Sequence, residues 1–183
     1  MNEFPFEVPK AIQAIGILHS AEGPTEVAYY RLLKLLAIAN REFLKETGRP
    51  IVGGRNVAMD AGPVNSPIYD LIKGEHPDSP EWQRFFTTKK RYLSMCRHPG
   101  TDELSKKEIR KLHEVSERLG ERDDDELRAL THGFPEYQKH HTPGTSTPIP
   151  LDSELEALGM EPMSSGIHDD IGRVMAWKQM FKG

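Results

Sequence analysis

The eight residues LLKLLAIA, positions 32–39, are apolar on nearly every side of a helix, with Lys34 as the interruption. Such a helix is normally surrounded by other elements, because an exposed face would leave apolar side chains in water. The pattern predicts a long helix that is capped by Thr25 and runs to about Thr47. Gly48 supplies the left-handed position that commonly follows a helix end. We therefore expect this helix to be the centre of the fold.

Turn and cap signals on both sides of this helix predict its neighbours. A shorter helix is expected from Lys10 to Ser20, where apolar residues recur at helical spacing. After the long helix, PIV and RNVAM flank Gly53-Gly54, a pair that permits positive φ and predicts a β-hairpin. Gly62-Pro63 should end the second strand, because proline has no N–H for the ladder. Ser66 should then cap a short helix that closes at Gly74.

The stretch WQRFFTTKKRYLSMC, residues 82–96, predicts a second hairpin with Lys89-Lys90 at its turn. In that register Trp82, Arg84 and Phe86 share one face of the strand. Phe85 then takes the other face. One set of aromatic side chains should therefore be core and the other exposed.

The second half of the chain carries two capping boxes, Ser105–Glu108 and Asp123–Glu126, each of which predicts a helix start. The segment 142–150 is rich in Pro, Gly and Thr and is interpreted as a linker. It separates a core domain, 1–141, from a helical extension, 151–183, that packs on the core. The fold class expected is α+β and mainly helical: a central apolar helix surrounded by helices, with two small antiparallel hairpins.

Composition narrows the classes of function. The 24 basic and 28 acidic residues give a net charge of −4, which argues against general nucleic-acid binding, since that draws its affinity from neutralising phosphates. The longest apolar stretch is far shorter than the ~20 residues that span a membrane. The N-terminus lacks the basic and apolar regions of a signal peptide, and the single cysteine, Cys96, excludes an internal disulfide. We expect a cytoplasmic protein.

The residues that could form a catalytic or metal site do not have the spacing that such a site needs. His113 begins HEVSE, but a helical zinc motif needs a second histidine where Glu117 stands. His140 and His141 are adjacent and have no regularly spaced third ligand. Cys96 has no partner base beyond a nearby histidine in the chain, and a partly buried structural thiol is the favoured interpretation. We predict no catalytic residue, no metal site and no cofactor.

The order of motifs resembles the Panacea domain, the SocA-like antitoxin family, over roughly residues 10–160. KLL in the long helix is followed by TGRPI, GPV, a short helix with a tyrosine, WQRFF, LSKKEIRKLHEV and ELRALTHGFPEY. The matching positions are Lys34, Leu35, Leu36, Gly48, Pro50, Gly62, Pro63, Val64, Tyr69, Leu130, Thr131 and His132. Ala37 and Met59 depart from the pattern, because the family often has an aromatic residue and a tryptophan there.

The resemblance implies a non-enzymatic protein that binds and neutralises a toxin encoded beside it. One family member is instead an adaptor that delivers its toxin to a cytoplasmic AAA+ protease. An alternative is a nucleic-acid-binding regulator of a prophage or mobile element, with the basic hairpin 89–91 and the helix surface of Lys106, Lys107, Arg110 and Lys111 as its contact. A hydrolase with an unrecognised site is a third, weaker alternative.

A partner surface is expected around the Gly62–Tyr69 turn and the second hairpin, since partner-binding cores favour aromatic residues and methionine over lysine and glutamate. The residues predicted to form it are Gly62, Pro63, Val64, Tyr69, Phe85, Phe86 and Tyr92. Glycine and proline also commonly end a strand, so GPV could serve structure alone.

Overall fold

The computed structural model describes residues 3–181. Its helices are α1 (Val8–Glu22), α2 (Tyr29–Thr47), α3 (Ser66–Lys73), α4 (Ser79–Trp82), α5 (Lys106–Leu119), α6 (Asp124–His132), α7 (Pro135–His140), α8 (Leu151–Ala157) and α9 (Ser164–Met180), with a 3-10 turn at Glu161–Met163. Its strands are β1 (Val27–Ala28), β2 (Asn56–Met59), β3 (Gly62–Asn65), β4 (Phe86–Lys89), β5 (Tyr92–Met95) and β6 (Thr147–Ile149). The predicted fold class, mainly helical α+β, is confirmed.

Helix α2 is the central element that the sequence predicts. Leu32, Leu35 and Leu36 are fully buried, and α1, α5, α6 and β3 pack around the helix. Gly48 adopts the left-handed conformation, with its N–H donating to the Leu44 carbonyl at 2.8 Å. The start of α2 was predicted wrongly, because the residues after Thr25 form β1, which pairs with β5. Long-range pairing thus overrides the local capping signal.

The turn of the first hairpin lies at residues 60–61 and not at Gly53-Gly54, where the sequence predicts it. Strands β2 and β3 pair across residues 60–61, so Gly62-Pro63 begins a strand and does not end one. Proline is tolerated because β3 is at the edge of the sheet β3-β2-β6. The Gly53-Gly54 pair instead lets the N-terminal segment lie close to the backbone. A Cβ on Gly53 would lie 2.3 Å from the Pro5 carbonyl oxygen. The Gly54 N–H donates to the Phe4 carbonyl at 2.8 Å.

Helix α3 leaves this hairpin directly. Its N-cap is Asn65 and not Ser66: the Asn65 side chain accepts a hydrogen bond from the Ile68 N–H. Pro67 stands in the first turn, where its missing N–H costs nothing. Gly74 closes the helix in the left-handed conformation, as predicted. The position of α3 is therefore fixed by the strand that precedes it.

The second hairpin is shorter than predicted, with β4 and β5 joined by Lys90 and Arg91. Trp82 belongs to α4, whose first turn contains Pro80, so the predicted shared face of Trp82, Arg84 and Phe86 is wrong. Trp82 and Phe86 are nevertheless both buried, with ring centroids 4.4 Å apart. The pair anchors the hairpin to the core.

Both predicted capping boxes are present, at Ser105–Glu108 and Asp123–Glu126, and begin α5 and α6. Helix α1 packs along α5 and α2. It contributes Ile12, Ile15 and Leu18 to the main core cluster. A Cβ on Gly16 would lie 2.6 Å from the Pro99 ring, so glycine permits the close contact there.

The C-terminal segment extends the first sheet and covers one end of α2. Part of the predicted linker is β6, which pairs with β2, so only residues 142–146 have the character of a linker. Leu44 packs in a second cluster with apolar residues of α8 and α9, among them Leu155 and Ile171. The second half of α9 exposes Trp177, and Phe181, the residue after the helix, is also exposed. No helix within residues 3–181 is long and apolar enough to cross a membrane.

Limited proteolysis should cut first within residues 142–146, because these exposed residues have no regular backbone pairing. The Asp60 carboxylate accepts hydrogen bonds from the Gly144 N–H and contacts His141 at 2.9 Å. Asp60→Ala should therefore accelerate that first cleavage, as measured by mass spectrometry of proteinase K digests. A first cut within residues 30–45 would contradict the central position of α2.

Candidate functional site

Two of the predicted motif segments meet at the β2–β3 turn. Thr131 of α6 is fully buried, and its hydroxyl donates to the carbonyls of Leu127 and Arg128, both at 3.1 Å. Gly62 has φ 117°, and a Cβ there would lie 3.1 Å from Thr131 Oγ1. The turn thus needs glycine for its conformation and has little room for any side chain. Gly62, Pro63 and Val64 are buried, so they shape the surface and do not form it.

Aromatic stacking holds the chain around His132. The Tyr137 hydroxyl donates to the Met59 carbonyl at 2.9 Å and lies 3.4 Å from His132 Nε2. His141 stacks on the Tyr137 ring at 5.0 Å. Burial lowers the pKa of His132, and Arg128 and His141 shift it in the same direction. His132 is therefore neutral at pH 7 and has a structural place beneath the turn.

Three tyrosines form a cluster in which Tyr29 is buried and Tyr30 and Tyr69 are half-buried. Tyr69 of α3 lies 6.1 Å from the ring of Tyr30 and 6.2 Å from that of Tyr29. The Tyr30 hydroxyl donates to the Tyr69 hydroxyl at 3.4 Å, a long hydrogen bond. Burial raises the pKa of Tyr30 far above its ordinary value, so this phenol stays protonated. We call Tyr29, Tyr30 and Tyr69 the tyrosine cluster.

Lys34 follows Tyr30 one turn along α2 and places its ammonium 5.7 Å from the Tyr30 ring centroid. The residue is only 7% exposed. Burial lowers the pKa of Lys34, and Arg128 and Arg31 add to this shift while Asp124 opposes it. Arg31 itself is bound to Glu22 and Asp124. Lys34 is thus a nearly buried cation with charges of both signs around it.

The structure separates the predicted aromatic residues of the second hairpin. Pairing of β1 with β5 sets Tyr92 opposite Ala28, next to the tyrosine cluster. Phe85 lies at the other end of β4, partly covered by the Arg97 guanidinium at 4.8 Å. Phe86 is only 1% exposed, which contradicts its assignment to the partner surface. Of these predicted residues, Tyr69 belongs to the tyrosine cluster, and Tyr92 lies on the strand that pairs with the residues just before Tyr29. The sequence analysis missed Tyr30 and Arg128.

A cavity of about 50 Å³ lies between α2, the sheet β3-β2-β6 and α8. The ion pair Arg41–Glu136 and the hydrogen-bonded pair Asn56–Glu154 line it. Burial raises the pKa of Glu154 to about 7. The volume of this cavity suits a few water molecules rather than a substrate. Neither Glu136 nor Glu154 had a signal in the sequence, because their burial depends on segments far apart in the chain.

Basic residues proposed for nucleic-acid contact are partly neutralised. Lys111 is 5% exposed and forms ion pairs with Glu42, Glu46 and Glu114. It is therefore not available to phosphates, which corrects its place in the alternative contact surface. Within residues 3–181 no three histidine, cysteine or acidic side chains are grouped to hold a metal ion.

A comparison with family models gives a match over residues 32–138, to the model described as "Antitoxin SocA-like, Panacea domain". No curated protein and no solved structure matches the chain. The matched segment runs from α2 to α7 and so includes Lys34, the β2–β3 turn and the Thr131-His132 segment. The resemblance inferred from the ordered motifs is confirmed. The chain belongs to the SocA-like antitoxin family with a Panacea domain.

Proposed function

We propose that this protein is a non-enzymatic antitoxin that neutralises a toxin encoded beside it by direct contact in the cytoplasm. The family assignment supports an antitoxin-like role. The observation that carries the proposal is the partly exposed, hydrogen-bonded pair Tyr30 and Tyr69, with the nearly buried Lys34 over the Tyr30 ring. Tyr92 lies on the strand that pairs with the residues just before this helix. Tyrosine gives a partner a large rigid contact with a polar tip, which is why it is enriched at interface hot spots.

The surface is built on rigid elements. Tyr30 and Lys34 are on the central helix, and Tyr69 is on α3, which is held by the Asn65 cap and the buried β3 strand. Preformed side chains lose less conformational freedom on binding, so such a surface favours tight association. Gly62 and Pro63 contribute by setting where α3 leaves the sheet.

The test is co-expression with the product of the adjacent gene. Wild type should restore growth and co-purify with that product. Tyr69→Ala and Tyr92→Ala should each weaken binding by about 2 kcal/mol, roughly 30-fold, without unfolding the protein. Phe85→Ala tests the far end of the hairpin. Phe86→Ala is excluded from this set because it would disrupt the core.

Trp177→Ala is the matched control, since Trp177 is an exposed aromatic residue on α9, away from the tyrosine cluster in the chain. If all three surface variants fold and rescue fully while Trp177→Ala fails, the partner surface lies on α9. If the adjacent product is harmless when expressed alone, the antitoxin proposal itself is wrong. Loss of toxin protein only when this chain and an AAA+ protease are both present would identify the adaptor mode.

A further inference from the structure

Lys34 differs from the other buried or half-buried cations in having no partner. Lys111, of equal burial, lies 2.6 Å from Glu46; Arg41 lies 2.7 Å from Glu136. Lys34 forms no hydrogen bond and no ion pair with any side chain or carbonyl between residues 3 and 181, and its nearest favourable contact is the Tyr30 ring. Such a charge costs stability, because the ammonium loses part of its hydration without gaining an ion pair.

The Lys34 ammonium is not sealed inside the protein. The buried polar atoms that lack a partner belong to other residues, namely His19, Ser79, Trp82, Ser116 and His168. Lys34 Nζ, which also lacks a protein partner, therefore retains solvent contact at the end of a buried aliphatic stem. This arrangement leaves a charged donor in contact with solvent at the end of a covered aliphatic stem.

The groups around the ammonium are donors. Tyr30 uses its hydroxyl hydrogen on Tyr69, which leaves the Tyr69 hydrogen available to another acceptor. The positive charge of Arg128 also acts on Lys34 and lowers its pKa. The Asp124 carboxylate acts on Lys34 in the opposite direction and more strongly, but it pairs with Arg31 and is largely exposed. Among the described residues, therefore, negative charge reaches the ammonium only from a distance, and no carboxylate is bound to it.

We propose that Lys34 binds a carboxylate of the partner, an aspartate or glutamate side chain that enters beside Tyr30 and Tyr69. The proposal rests on the antitoxin function and names the partner chemistry at that surface. The carboxylate would accept a charge-assisted hydrogen bond from Lys34 and one from the Tyr69 hydroxyl. Binding would supply the ion pair that the free protein lacks, so the energy lost in burying Lys34 is recovered only in the complex.

The test uses Lys34→Met, which keeps an unbranched side chain of similar length and removes the charge. The free variant should be at least as stable as wild type, because an unpaired buried charge is gone. Its affinity for the purified adjacent-gene product should fall by roughly 30-fold or more. A merely structural lysine would not give this opposite pair of effects. Isothermal titration calorimetry and thermal unfolding measure them.

Lys111→Met is the matched control, since this lysine has the same burial but is already paired. It should lower thermal stability and leave the affinity of the folded protein within about threefold, as expected for a change outside the interface. In the partner, one Asp→Asn or Glu→Gln substitution should strongly weaken binding to the wild-type protein. The same substitution should hardly change binding to the Lys34→Met variant. Such non-additivity identifies the paired carboxylate.

The outcomes separate the two proposals. If wild type binds the adjacent product and Lys34→Met binds it equally well, the Lys34 proposal is overturned and the antitoxin function stands. If wild type fails to bind or neutralise the product, the proposed function fails first, and with it the site. Binding of a duplex DNA fragment that requires Lys34, with no such requirement for the adjacent product, would assign the site to phosphate and overturn the carboxylate.

Discussion

Leu36→Ala should lower the free energy of unfolding by about 2–5 kcal/mol, the usual cost of removing a large aliphatic side chain from a packed core. Leu36 is 1% exposed in the middle of α2, where helices pack on several sides and leave no route for the surroundings to collapse into the space. Urea denaturation followed by circular dichroism measures the change.

Leu130→Ala is the matched control for this experiment. Leu130 is on α6 and 44% exposed, so the same chemical change should cost only about 0.5 kcal/mol or less. A loss below about 1 kcal/mol for Leu36→Ala, or equal losses at both positions, would contradict the central packing of α2. Unchanged denaturant dependence in both variants would show that the unfolded state is not the cause.

Glu154→Gln should stabilise the protein at pH 8 by on the order of 2 kcal/mol and have little effect near pH 4.5. Burial raises the pKa of Glu154 to about 7, Glu136 adds to the shift, and the Asn56 hydrogen bond and Arg41 oppose it. Above pH 4.5 the unfolded chain releases this proton while the folded protein keeps it. The contribution of protonated Glu154 to the free energy of unfolding is therefore fully present below pH 4.5, and it is lost as the pH rises through about 7.

The glutamine variant removes this pH dependence but keeps the shape and the oxygen that accepts from Asn56 Nδ2, which lies 2.6 Å from the Glu154 carboxylate. The measurement is urea denaturation at pH 4.5, 6 and 8, with the difference between variant and wild type taken at each pH. Glu156→Gln is the control, because Glu156 is on the same helix, is exposed, and has its pKa lowered by Lys139. A constant difference across the three pH values would contradict the burial of a protonated Glu154.

Local signals predicted the elements that local chemistry decides. The capping boxes at Ser105 and Asp123 and the left-handed Gly48 involve residues within a few positions of each other, so sequence spacing contains the information. Strands β1 and β6 have two and three residues, and they exist only because distant strands pair with them. No local pattern specifies such pairing, which is why Thr25 and the linker were misassigned.

The site was predictable in outline and not in detail. The motif order identified Lys34, Tyr69 and the Gly62 turn. Of the two adjacent aromatic residues, Phe86 is fully buried against Trp82, and Phe85 is partly buried against the same core. Their degree of burial depends on packing that is distant in the sequence. The missing partner of Lys34 is a property of the surrounding surfaces, so only the structure could reveal it.

The position of α1 has a consequence for gene fusion and domain exchange. The family match begins within α2, yet Ile12, Ile15 and Leu18 of α1 occupy the same core cluster as Leu36 and Val115. A transplanted fragment of residues 32–138 would lack α1, so the core residues that α1 covers would be exposed to water. It would also lack β6, the strand that pairs with β2. Recombination that preserves this protein must therefore carry α1 together with the matched segment, so the inherited unit is longer than the recognisable one.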